Sequence, residues 1–338
     1  MTILKPDDLL LVTGATGLVG SHVAERARQF GIRTRALVRA GSRSELLEQW
    51  GVERAEGELT EPASLAQAVE GATLVVHCAA KVGDWGTVED YRPVNVRGLE
   101  HLLNAVEAAG TVRHLVHVSS LGVYEGRDHR GTDETVEPSK TGLDPYTFTK
   151  IEAEKLVLRH IAQQKLPATV VRPGFIYGPR DRAILPRLLV RLKAGHVLYF
   201  GSGEQLMNNT FVGNLVDAIF AVLERPQTVG EIFNVTDGRL VSKREFISTV
   251  ASLAGYPAPR GAIPLWLARF LTTASEKVYG ALGAKKAPLL NKARFKFLGL
   301  HLEYSIDKAR RMLDYEPRVA FPEAIRQTID WFRAEGRL

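Results

Sequence analysis

The segment Leu9–Gly20, LLLVTGATGLVG, sets four aliphatic residues ahead of three glycines spaced three apart. A run like this predicts a strand buried on both faces, and the glycines predict a tight passage from that strand into a helix. Gly14 permits the turn, Gly17 lets backbone come close to a ligand, and Gly20 lets the helix pack closely on the strand. The amino end of the helix would offer free N–H groups and a positive dipole end to a pyrophosphate. The spacing, GxxGxxG, departs from the commoner GxGxxG. A purely structural turn uses glycines in the same way, so the neighbouring segments decide between the two.

Outward from this turn, further runs rich in Val and Leu recur at Thr34–Val38, Leu74–Cys78, Leu115–Ser119 and Ala168–Arg172. Between them Ser21–Phe30 and Leu99–Ala109 carry apolar residues at helical spacing, with Gly31 and Gly110 as stops. The alternation predicts repeated βαβ units and an α/β, doubly wound parallel sheet of the Rossmann kind. At 338 residues the chain exceeds the usual size of one core. The expected division is a dinucleotide-binding domain over residues 1–172 and a smaller α/β substrate lobe over 173–338, interleaved with the sheet.

Composition narrows the function classes. Hydrophobic residues make up 45% and charged residues 24%, as in soluble globular proteins, and no low-complexity tract or repeat occurs. The net charge of +6 is not gathered into a stripe of basic and aromatic residues, which argues against nucleic-acid binding. Cys78 is the single cysteine and MTILKPDD has no long apolar region, so a cytoplasmic location is expected. His114 and His117 flank a strand without cysteine or carboxylate ligands at a recurring spacing, and no metal site is expected. No GxSxG elbow supports serine-hydrolase chemistry.

A second constellation lies in DPYTFTK, where Tyr146 and Lys150 stand four residues apart on a predicted helix and so share a face. A free tyrosine has a pKa of about 10, and a neighbouring ammonium favours its ionised form. Upstream, LVHVSSLGVY ends a strand with Ser119 and Ser120, at the sheet edge where ligands of doubly wound folds bind. A serine hydroxyl there could hold a substrate oxygen beside the phenol.

TGATGLVG, VVHCAA (Val75–Ala80), VNVRGLEHLL (Val94–Leu103), VHVSSLGVY, PYTFTK and VVRPGFIYGP (Val170–Pro179) occur in this order along the chain. Together they resemble the extended short-chain dehydrogenase/reductase superfamily, the NAD-dependent epimerase/dehydratase group. The resemblance implies that Ser120 is catalytic and Ser119 structural, and that Tyr146 is the acid/base. Lys150 would orient the nicotinamide ribose and lower the tyrosine pKa. Asn95 would support the active-site helix and a proton relay. The cofactor-binding set it implies is Gly14, Thr16, Gly17, Leu18, Val19, Arg39, Glu58, Leu59, Ala79, Ala80, Tyr146, Lys150 and Pro173, with Pro173 near the nicotinamide. Glu58 stands where many relatives have Asp at the adenine edge.

An acid at the end of the second strand would favour NAD. Here Arg39 occupies that end, with Ser42 and Arg43 beyond and no acid before Glu45. NADP is favoured, with NAD the alternative. Sugar-nucleotide dehydratases of the superfamily carry an Asp–Glu pair after the catalytic hydroxyl residue, where this chain has Leu121 and Gly122, so dehydration is not expected.

The carboxyl-terminal half, with MNNTFVGNLVDAIFAVLE and IPLWLARFLTTASEKVYGALG, resembles the 3β-hydroxysteroid dehydrogenase-like branch. The resemblance implies interconversion of a secondary alcohol and a ketone on an apolar, sterol-like substrate. A nucleotide-sugar 4-epimerase with retained cofactor and a non-catalytic dinucleotide sensor stay open beside it. Leu267, Leu271, Ala274, Val278 and Leu282 recur at helical spacing as a core stripe, while Trp266 and Phe270 lie on an adjoining face and Lys285 and Lys286 follow. A lid or a helix resting on a membrane is the alternative to core, and homodimer formation stays open. A pocket bounded by Trp85, Trp266 and Phe270 would bind by apolar burial, with little dependence on salt.

Overall fold

A computed structural model gives the architecture and describes residues 4–5, 7–140, 144–284 and 286–338. Its centre is a seven-stranded parallel sheet formed by β1 (Leu9–Thr13), β2 (Arg33–Val38), β3 (Glu53–Glu56), β4 (Leu74–His77), β5 (His114–Val118), β6 (Ala168–Pro173) and β7 (Ile232–Val235). The strand order is β7-β6-β5-β4-β1-β2-β3. Leu10 of β1 pairs with Thr34 on one side and Leu74 on the other, so the order reverses at β1 and opens a crevice beyond its carboxyl end. This is the doubly wound fold that the aliphatic runs predict.

Six helices matter for the site: α1 (Leu18–Gln29), α2 (Gly98–Ala109), α3 (Pro145–Ala162), α4 (Val212–Leu223), α5 (Leu265–Ala281) and α6 (Lys292–Gly299). On one face of the sheet α1 and α4 bury Val23, Ala27, Leu215 and Ile219 against Leu10, Val12, Val76 and Phe233. On the other, α2 and α3 bury Leu99, Leu103 and Val157 against Leu11, Val75 and Leu115. Each central strand is therefore covered on both sides, which is why its sequence does not alternate. A separate core lies among later residues, with Tyr177, Phe211, Phe246, Phe321 and Phe332 at its centre. Residues 212–235 leave that core and return to the first, supplying α4 and the edge strand β7.

Two glycines force the path at the carboxyl end of β1. Gly14 has φ +71°, and a Cβ there would lie 2.8 Å from the backbone nitrogen of Ala79. A Cβ on Gly20 would overlap the Gly14 carbonyl, so α1 can begin directly at the turn with Gly17 as its N-cap. The helix consequently starts three residues before the expected Ser21.

Candidate active site

The turn, the ends of β2 and β4, and the segment after β3 surround one cleft of about 650 Å³. Gly14, Thr16 and Gly17 line it from the turn, Arg39 and Ser42 from the end of β2, Glu58 and Leu59 from the segment after β3, and Ala79 and Ala80 from the end of β4. Leu18 and Val19 form the first turn of α1, which has no acidic residue and no side-chain cap, so its N–H groups and positive dipole end remain available to an anion. Gly14 has no room for a side chain beneath this turn. Close backbone, an open helix end and a long cleft across the switch point are what a dinucleotide requires, and the residues present fit one. At the far end a second hollow joins Arg39–Ser42 to Glu56–Glu58 and Glu61, so Arg39 shares its surroundings with carboxylates.

Helix α3 begins where Asp144 accepts hydrogen bonds from the Thr147 amide at 2.9 Å and the Thr147 hydroxyl at 2.7 Å, with Pro145 in the first helical position. This cap fixes the first turn, which carries Tyr146. One turn on, the buried Lys150 donates from Nζ to the carbonyl of Val118, the last residue of β5, at 2.7 Å. Ser120 lies two residues beyond Val118, and its Oγ accepts the Gly122 amide at 3.0 Å. With that acceptance made, the hydroxyl proton of Ser120 can be donated elsewhere. Burial, reinforced by the negative charge of Asp144, holds the Tyr146 phenol above its ordinary range. Burial also brings the Lys150 ammonium down to about 8. In this arrangement the phenol is protonated at neutral pH.

Asn95 stands inside a π-helical turn, Pro93–Arg97. Its Oδ1 accepts the Lys81 amide at 2.7 Å, while its Nδ2 donates to the Lys81 carbonyl and to Thr149 Oγ1, each at 3.0 Å. It thereby ties the cleft wall after β4 to α3 next to Lys150. Pro173 is buried at the end of β6. Ser119 donates to Glu154 Oε2 at 2.7 Å and belongs to a buried network that sequence reading missed. In it Arg172 forms a two-pronged ion pair with Glu154 and donates to the Tyr124 hydroxyl at 2.7 Å. Tyr124 in turn reaches Asn234 of β7 at 3.0 Å. The signal was Glu154 on the same helical face as Tyr146 and Lys150, with an arginine inside an apolar strand.

His114 is held by Thr169 Oγ1 at 2.9 Å, and His117 stacks on His77 with ring centres 5.4 Å apart. Both are buried in the sheet, and burial pushes both well below the ordinary histidine range.

Beside the Ser120 turn lies a second cavity of about 490 Å³, and it differs from the expected apolar pocket. Its walls include Arg127, Asp128, Asp144, Arg269, Lys292 and Lys296, with Phe295 and Leu300 as apolar members. Lys296 donates to the carbonyls of Gly122 at 2.6 Å and Tyr124 at 2.8 Å, fastening α6 to the Ser120 turn. Burial brings its ammonium down to about 8. Trp266 and Phe270 do not enclose a pocket: they are 72% and 64% exposed. Trp85 packs edge-on against Tyr279 and donates to the Ala284 carbonyl at 2.8 Å. The predicted stripe is not core either, since Leu271, Val278 and Leu282 face outward. Lys285 lies outside the described residues.

Residues 10–236 match the NAD dependent epimerase/dehydratase family. The chain is 31% identical over 316 residues to 4-hydroxy-2-methyl-3-oxo-4-farnesyl-3,4-dihydroquinoline-1-oxide ketoreductase of Stigmatella aurantiaca, covering 93% of each. It is 27% identical to 2-alkyl-3-oxoalkanoate reductase of Shewanella oneidensis, covering 94% of this chain and 84% of that one. It is also 27% identical to sterol-4-alpha-carboxylate 3-dehydrogenase, decarboxylating, of Bos taurus, covering 95% and 91%. Among solved structures, gox2253 superposes with a TM-score of 0.83 at 30% identity, covering 98% of this chain and 99% of that one.

Proposed function

The chain belongs to the NAD dependent epimerase/dehydratase family and is an NAD(P)-dependent enzyme of the extended short-chain dehydrogenase/reductase type, and from that premise we propose that it interconverts a ketone and a secondary alcohol through Ser120, Tyr146 and Lys150. The observation that carries this reading is the 2.7 Å bond from Lys150 to Val118, which gathers the Tyr146 helix and the Ser120 strand end at one place. Ser120, its oxygen already satisfied by Gly122, donates a hydrogen bond to the substrate oxygen and holds it. Tyr146, kept protonated by burial and Asp144, gives its proton to the same oxygen as the carbon is reduced. The reverse direction returns that proton to Tyr146. When bound, the nicotinamide supplies or accepts the hydride. Gly14–Val19 would receive the pyrophosphate, Ala79 and Ala80 the length of the dinucleotide, Lys150 the ribose, and Pro173 the nicotinamide side.

NADP is the proposed form, because Arg39 lies exposed at the end of β2 and forms no ion pair among the described residues. Arg39→Ala should lower kcat/KM for NADPH by about 10-fold and leave NADH nearly unchanged. Equal loss with both coenzymes would show that Arg39 does not read the 2′-phosphate.

The substrate we propose has an apolar body and an anionic group beside the reacting carbon. Four cations against two carboxylates line the cavity at the Ser120 turn, with Phe295 and Leu300 among them. Two relatives have names that put a carboxylate with an oxidisable or reducible carbon: a 3-oxoalkanoate and a sterol carboxylate acted on at position 3. Arg269→Met should raise KM for a 2-alkyl-3-oxo acid about 10-fold, and the wild-type KM should itself rise with salt. This reverses the salt independence that an aromatic pocket implies. Unchanged KM in both experiments would remove the anionic group from the proposal. The same cations could receive a nucleotide diphosphate, so a nucleotide-sugar epimerase is the second reading. The three relatives named above bear reductase and dehydrogenase names, which favours the first.

A further inference from the structure

We propose that α5 is a docking surface for an anionic lipid bilayer, lying along it with Trp266, Phe270 and Leu282 among the acyl chains. A surface helix of a water-soluble protein ordinarily turns its apolar side inward and its polar side out. Helix α5 does the opposite. Its buried positions are the small Ala268 and Thr272. Its large side chains are outside, with Val278 at 54% and Leu282 at 75% exposure beside the two exposed aromatics. At 3.6 residues per turn Trp266, Phe270, Leu267, Val278, Leu271 and Leu282 fall within an arc of about 160°. That arc is continuous apolar surface except for Lys277, and a patch of this kind marks an interaction site.

Charge identifies the partner. Residues 260–296 contain eight Lys and Arg against Glu276 alone, a net +7, whereas the whole chain carries +6. The entire excess positive charge thus sits in the segment built around α5, and the remainder of the protein is at −1. Arg294 is paired with Asp84 and Lys292 with Glu276. Arg260, Arg269, Lys277 and Lys286 are exposed and form no ion pair among the described residues. An apolar arc that carries Lys277 and is flanked along the chain by the exposed Arg260 and Lys286 matches phospholipid acyl chains beneath anionic headgroups. A second copy would have to bring the exposed Arg260, Lys277 and Lys286 of one chain close to those of the other, which like-charge repulsion opposes. No helix among the described residues is long and apolar enough to cross a membrane, which fits a helix lying on the surface. Arg269, Thr272 and Thr273 on the other side of α5 line the cavity next to the Ser120 turn, so the docked helix is also a wall of that cavity.

Cosedimentation of the full chain with vesicles tests this directly. The chain should partition onto phosphatidylcholine vesicles containing phosphatidylglycerol at least about 10-fold more strongly than onto phosphatidylcholine alone, and salt should weaken the difference. Trp266→Ser with Phe270→Ser should lower that partition about 10-fold, and Lys277→Glu with Lys286→Glu should abolish the preference for phosphatidylglycerol. All four positions are exposed, so the thermal midpoint and far-ultraviolet circular dichroism should stay at wild-type values. Absence of vesicle binding by the folded chain would overturn the proposal. So would a concentration-dependent dimer in sedimentation velocity that the Trp266→Ser, Phe270→Ser pair dissociates, since the arc would then face a second copy.

Discussion

Tyr146→Phe should lower kcat roughly 10²-fold or more while leaving NADPH affinity and the fold unchanged. The substitution keeps the ring, which packs edge-on against Tyr91 with centres 6.4 Å apart, and removes only the proton that the proposed reaction delivers to the substrate oxygen. Pre-steady-state turnover with saturating coenzyme separates this from a binding defect: the loss should lie in the reduction step and not in KM. Near-normal kcat would take the acid/base role away from Tyr146. Burial and Asp144 both oppose ionisation of the phenol, so in the ligand-free site Tyr146 holds its proton.

Arg172→Met should destabilise the protein by about 3–5 kcal/mol, because it leaves the carboxylate of Glu154 buried without its cation. Arg172 and Glu154 are each 1% exposed, and their pairing ties β6 to α3 while Ser119 and Tyr124 join the ends of the network. Urea unfolding should show a lower midpoint with an unchanged slope. The double variant Arg172→Met, Glu154→Gln should recover much of the loss, since it removes both charges together. A single variant that loses less than about 1 kcal/mol would show that water or neighbouring groups already satisfy Glu154.

The parts of this molecule that were legible in its sequence are those specified by local chemistry. Gly14 is needed at φ +71° with Ala79 pressed against it, and LLLV is needed where a strand is covered on both sides. Asp144 and Pro145 announce the start of the helix that carries Tyr146 and Lys150. Edge strands were harder. The β3 sequence, ERAE, is mostly exposed and has no apolar run, because an edge strand with little burial does not need one. Strand β7 is four residues long and pairs with β6 across nearly sixty residues of chain, a partnership that no spacing rule encodes.

The charged cavity was illegible for a related reason. Lys296 and Arg269 line that cavity from far along the chain, Lys296 carried by α6 and Arg269 by α5, and no spacing in the sequence places either helix there. Helix α5 misled for a different one. An apolar stripe at helical spacing ordinarily faces the core, and nothing in periodicity says which side of an amphipathic helix the rest of the protein will cover.

The chemistry itself is most directly tested by adding NADPH and a 2-alkyl-3-oxoalkanoate to the purified chain and following nicotinamide absorbance together with product. One hydroxy acid should form for each NADPH oxidised, at a rate lowered roughly 10²-fold or more in Tyr146→Phe, with no conversion of UDP-glucose. Interconversion of UDP-glucose and its 4-epimer with no net change in nicotinamide absorbance, and no reduction of the oxo acid, would contradict the proposed chemistry.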